Sequence, residues 1–157
     1  MRRPLEWPFE TALETGMASH HSRAIATTGH PNASLARDLW IAAAESDASM
    51  IRHLLAPDVV WRTHSSGSLS GCVRGADAVI ELLARSGEQV DSLTTDLIDI
   101  YASENGAVTH YRVRAQRGQS QLDTEALLVL RVVAGRVVEA FALPVDDRGQ
   151  ESFWLSH

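Results

Sequence analysis

A chain of 157 residues with 45% hydrophobic content can bury one continuous core without disulfide or metal staples, so a single main domain is expected. The formal net charge of -6 and the lack of any run of Lys or Arg argue against a nucleic-acid surface, which needs a clustered basic footprint. Cys72 is the only cysteine, which leaves no internal disulfide or Cys-rich metal site and suits a reducing, cytoplasmic compartment.

The chain opens with Met1-Arg2-Arg3 and continues through Pro4, Glu6, Pro8 and Glu10, which lacks the apolar core of a signal peptide. No stretch reaches the roughly 20 apolar residues of a membrane span. The longest apolar run, Ala126 to Val133, is broken by Arg131, so a soluble protein without membrane contact is expected. Residues 1–33 read as an N-terminal extension, polar and turn-rich in its second half. Trp7 and Phe9 are its candidates for docking on the domain, after a short helix from Pro8 to Thr15 that needs tertiary support.

Residues 34–157 form the domain. Ser34 is placed to cap a helix whose apolar positions Leu35, Leu39, Trp40, Ala43 and Ala44 share one face. A second helix follows Ser46-Asp47, carries Met50, Ile51, Leu54 and Leu55, and stops at Pro57. Val59 to Thr63 read as a short strand leading into a Ser- and Gly-rich loop from Ser65 to Gly75. A third helix runs through Ala78, Val79, Leu82 and Leu83 to Gly87. Four long strands follow, Ser92 to Ala102, Ala107 to Arg117, Gln121 to Val133 and Arg136 to Val145. They are separated by the turn sequences Glu104-Asn105-Gly106, Gly118-Gln119 and Ala134-Gly135. Helices followed by a strand meander predict an α+β fold, with three helices packed against one face of a curved antiparallel sheet.

Five stretches together carry a resemblance: Ala56-Pro57-Asp58-Val59-Val60-Trp61; Leu69-Ser70-Gly71 leading to Arg74-Gly75; Tyr111-Arg112-Val113; Gly135-Arg136-Val137-Val138-Glu139; and Asp146 followed by Phe153-Trp154. In order and spacing they resemble the SnoaL-like polyketide cyclase and ketosteroid isomerase group of the nuclear transport factor 2-like superfamily. The resemblance implies a cone-shaped, cystatin-like α+β roll with a pocket between helices and sheet, and a homodimer formed through the outer sheet face. With Val59, Trp61 and Thr63 taken as inward by that likeness, period-two alternation gives the rest of the inner face. It consists of Thr109, Tyr111, Val113 and Ala115; Leu122, Thr124, Ala126, Leu128 and Leu130; and Val138, Ala140 and Ala142. His110, Arg112, Arg114, Asp123, Glu125, Arg131 and Glu139 then lie outside.

At the positions where ketosteroid isomerases carry a helical tyrosine, a strand acid and a proton-moving carboxylate, the likeness places Leu39, Leu128 and Thr63. Where the cyclases and limonene epoxide hydrolases keep an aspartate on the last long strand, it places Ala142. That isomerase chemistry is therefore not expected. Two groups near the mouth are candidates for acid/base work, His64 at the end of the first strand and Asp146 at the end of the last, since an imidazole held by a carboxylate suits enolisation or aldol-type closure. The alternative for Asp146, or for Asp147 beside it, is capping of the turn before Phe153-Trp154, with His64 in a solvated loop. Trp61, Thr63, Tyr111, Thr124, Leu128 and Ala142 are the candidate ligand-facing residues. The aromatics suit stacking and carbonyl orientation, or simple core filling, and the Thr hydroxyls weak hydrogen bonding. His20-His21 with His30 has no fixed ligand geometry, so neither a metal nor a cofactor is expected. Two functions remain open: an acid/base enzyme acting on an apolar ring-containing carbonyl compound, or a non-catalytic domain that binds an apolar ligand or fills its own cone.

Overall fold

The computed structural model describes residues 29–64, 71–146, 149 and 152–154. The docking of Trp7 and Phe9, the helix from Pro8 to Thr15, His20-His21 and Asp147 all lie outside the described residues. Helix α1 (Pro31–Ala44) starts before the expected Ser34, because His30 caps it: Nδ1 accepts the Asn32 backbone N–H at 3.1 Å. Pro31 then occupies the first turn, where a missing N–H costs nothing. Asn32, only 8% exposed, donates from Nδ2 to the carbonyls of Ser103 at 2.8 Å and Glu104 at 3.3 Å, which ties the helix start to a distant strand turn. After Ser46, at φ 56, Asp47 Oδ1 accepts the Met50 N–H at 3.0 Å and starts α2 (Ala48–Leu54).

The second helix stops three residues before Pro57, and strand β1 (Leu55–Thr63) begins at once. Pro57 lies in an irregular stretch of β1 between Leu55 and Val60, the kind of place where a strand tolerates a missing donor. The loop expected after β1 contains a short strand, β2 (Gly71–Arg74), paired antiparallel to β1, too short to show an alternation. Gly75 (φ 96) turns the chain from β2 into α3 (Ala76–Glu88) while its N–H donates to Val59 O at 2.7 Å. Strands β3 (Ser92–Ser103), β4 (Gly106–Arg117), β5 (Ser120–Val133) and β6 (Arg136–Pro144) then form the expected meander. At the last turn Ala134 (φ 50) and Gly135 (φ 75) both take the left-handed conformation that a tight hairpin requires.

The sheet order is β2-β1-β6-β5-β4-β3. Every ladder is antiparallel except β1 with β6, which is parallel. Helix α1 lies on β3 and β4, α2 against β1 and β6, and α3 on β1 and β2. The main core between helices and sheet contains Leu39, Leu55, Val59, Trp61, Val79 and Leu130. One inner-face expectation fails. A register shift between Arg131 and Val132 advances β6 by one residue, so Val137 (0% exposed) faces inward where Val138 was expected, and Val138 is only half-buried.

The outer face is charged as expected, with its charges paired. Arg112 donates from Nε and Nη2 to both Asp123 carboxylate oxygens at 2.7 Å, His110 Nε2 meets Glu125 at 2.7 Å, Arg131 meets Glu139 at 3.2 Å, and Arg114 pairs with Asp96. Hydrogen bonds from Arg112 hold the Asp123 carboxyl below its usual range.

Candidate functional site

The inner face is ordered in rows by the strand register. One row runs Thr63, Ala142, Leu128, Thr109 across β1, β6, β5 and β4, and the next runs Ala126, Tyr111, Leu97. Alanines at 107, 115, 126, 140 and 142 keep this face shallow in side-chain volume. Trp61, 5% exposed, is part of the main core wall, and Leu128 is buried beside it. Thr63 and Ala142 remain only half-buried although they face the helices. Thr124 is buried, with Oγ1 donating to the Glu125 carbonyl over a long 3.4 Å.

Tyr111 stands at the centre of this region. Its ring meets Trp40 of α1 at 4.8 Å between centroids and 51° between planes. Burial alone pushes its phenol up to about 12, and no hydrogen-bond partner for the hydroxyl occurs among the described residues. Yet the residue keeps part of its accessible surface. Tyr111 thus combines a desolvated phenol with residual accessible surface. Thr109, two residues earlier, is 0% exposed, and its Oγ1 has no partner.

Beyond the end of β6 the inner face of β4 and β5 is covered by Phe153 and Trp154. Phe153, 3% exposed, packs against Val113, Ala115, Leu122 and Ala126. Trp154 touches both this cluster and the main core, its ring 5.0 Å from Phe153 at 85°. Arg117 clasps the pair: Nη2 donates to Phe153 O at 2.5 Å, and the guanidinium lies 5.3 Å from the Phe153 ring and 6.0 Å from the Trp154 ring.

The two acid/base candidates lie at the same end of the sheet because β1 and β6 run parallel. The His64 N–H donates to Ala142 O at 3.0 Å, and Asp146 follows Pro144, the last residue of β6. Both side chains are exposed at the rim rather than set among the inner rows. Asp146 Oδ1 accepts the Gly149 N–H at 3.4 Å, a turn contact of the kind weighed for it, and a Cβ on Gly149 would come within 2.9 Å of its Oδ2. Asn32, Thr109 and Thr124 are the only buried polar residues among those described. The inner rows thus offer hydroxyls and aromatic faces, while carboxylate and imidazole stay at the rim. Trp40 and Trp154 are neighbours of the site that alternation could not reveal, since one comes from a helix and the other from the terminal segment.

The family model of the SnoaL-like domain matches residues 36–140. The chain belongs to this family. Among solved structures, this SnoaL-like domain is similar to Bal32a from a soil-derived mobile gene cassette, at 23% identity and TM-score 0.74 over 79% of this chain and 96% of that one. It is similar also to TerC, co-crystallised with polyporic acid, at 14% identity and TM-score 0.71 over 81% and 100%. A putative SnoaL-like polyketide cyclase from Jannaschia sp. CCS1 matches at 13% identity and TM-score 0.67 over 81% and 94%. Nuclear transport factor 2-like proteins of Burkholderia share the fold as well. No curated protein matches the sequence. No helix among the described residues of the SnoaL-like domain is long and apolar enough to cross a membrane, and none of its His, Cys, Asp and Glu residues group as a metal site there.

Proposed function

We propose that this SnoaL-like protein binds an apolar, ring-containing carbonyl compound between the inner face of its sheet and its helices. The observation that carries this reading is Tyr111, deep in the fold, partly accessible, and with its hydroxyl unpartnered among the described residues. Thr63, Leu128 and Ala142 stand in the row next to it, Trp61 lies one row further on, and Thr124 lies in the row on its other side. TerC, which has a similar fold, was co-crystallised with polyporic acid, which supports a small-molecule ligand for this fold. Binding stands ahead of proton transfer because the buried groups here are hydroxyls and an amide, none of which is a base near neutral pH.

A second reading, acid/base catalysis on the same class of compound, is favoured by the parallel β1/β6 ladder, which carries His64 and Asp146 to the same rim. Screening polyketide-like, steroid and terpenoid compounds by thermal shift, followed by turnover assays on hits, separates the two. Binding without turnover, unchanged in His64→Ala and Asp146→Asn, supports a holder. Turnover lost in either variant supports the enzyme, and no stabilising compound at all leaves a cone filled by its own side chains.

The protein is proposed to act as a homodimer through the outer sheet face, in the cytoplasm. The register lines up Tyr101, Val108, Val129 and Phe141 there as an apolar row, with Leu127 and Leu143 beside it and paired charges on either flank.

A further inference from the structure

A buried hydroxyl without a partner costs about 1–3 kcal/mol, and native folds keep few of them. Here β4 turns two hydroxyls without a partner among the described residues to the same face, that of Thr109 fully buried and that of Tyr111 not. They differ in access: Thr109 is fully enclosed between Leu128 and Ile100, whereas Tyr111 keeps accessible surface and lies against the Trp40 ring. The Tyr111 group is therefore the one that a guest molecule can reach.

The charge around it limits what that guest can be. Tyr111 is flanked across the sheet by Ala126 and Leu97, and the adjoining row holds Thr63, Ala142, Leu128 and Thr109. The chain contains no lysine, and Arg112, Arg114 and Arg131 pair with acids on the opposite face. The nearest cation on the inner face of β4 is Arg117, six residues or about 20 Å along the strand, where it lies over the Phe153 and Trp154 rings. On the sheet side, no cation among the described residues faces Tyr111, so an anion placed there would lack a counter-charge from the strands, a larger cost than that of a neutral carbonyl.

We infer that the Tyr111 hydroxyl is the specificity-determining donor of the site: it hydrogen-bonds the carbonyl oxygen of a neutral, flat ring compound whose face lies beside Trp40, and the site rejects carboxylates of the same shape. The inference rests on the ligand-binding reading above. Burial keeps the phenol protonated well past neutral pH, so it donates a hydrogen bond and does not act as a base.

Three probes of matched shape test it: 2-acetylnaphthalene, 2-ethylnaphthalene and 2-naphthoate, titrated by calorimetry into the wild type, Tyr111→Phe and Thr109→Val. The ketone is expected to bind the wild type about five- to tenfold more tightly than the hydrocarbon, the worth of one neutral hydrogen bond. Naphthoate should bind more weakly than either. In Tyr111→Phe the ketone should fall to the hydrocarbon's affinity while the hydrocarbon is unchanged, which shows a folded, open site. Thr109→Val, which removes the enclosed hydroxyl, should melt at the same or a higher temperature and keep the ketone preference. Equal affinity of ketone and hydrocarbon in the wild type, a preference that survives Tyr111→Phe, or one lost in Thr109→Val instead, overturns the assignment while leaving the site. Failure of all three probes to bind the wild type overturns the ligand reading and this inference with it.

Discussion

Tyr111 also reports on itself through pH. Its folded-state value is raised from 10.0 to about 12 by burial, so the folded form favours the protonated phenol. The associated stability is fully present below pH 10.0 and is lost as pH rises through about 12. Phenolate absorbance should show the Tyr111 step near the upper value, or only when the chain unfolds. Tyr111→Phe should remove that step and move the alkaline unfolding midpoint upward, whereas a Tyr111 step near 10.0 in the folded protein would show an open, hydrated phenol. The inward position of this residue followed from alternation once the family likeness had set Thr63 inward, as did those of Thr124, Leu128 and Ala142. Its missing partner was not, because hydrogen bonding depends on what other elements bring near it. Trp40 reaches Tyr111 from α1, and nothing in the local pattern of either segment encodes that approach.

The long strands of the meander were legible almost to the residue, since alternating apolar residues and glycine-bearing turns both mark strand ends. Three departures share a cause, a local rule overridden by a neighbour. Pro57 reads as a helix stop but sits in a strand whose irregular pairing tolerates it. Pro31 reads as a turn but opens a helix behind a histidine cap. The β6 irregularity exchanges Val138 for Val137, and a single inserted residue leaves no mark in a run of valines. That exchange is open to measurement. Val137→Ala should cost about 2 kcal/mol from the lost methyl groups and the space they leave, and Val138→Ala clearly less, by denaturant unfolding. Equal costs would place the irregularity elsewhere.

For the molecule as a whole, the helix-covered sheet with its matched family was legible, but the parallel ladder was not: nothing in β1 or β6 alone states which way its partner runs. The proposed dimer belongs to this scale. Light scattering should give twice the 17.1 kDa chain mass, and Leu127→Glu, which puts a charge in the outer apolar row, should give the monomer. A wild-type monomer would leave that row without its partner. The same β1/β6 ladder also governs how the chain assembles. Thr63 and Ala142 pair across about eighty residues, and among the described residues β6 alone joins β1 and β2 to the other strands. During synthesis the first strand must therefore wait for the last one to emerge before the cone can close. This long delay makes closure, not helix formation, the slow step, and it leaves β1 dependent on its helices for cover in the meantime.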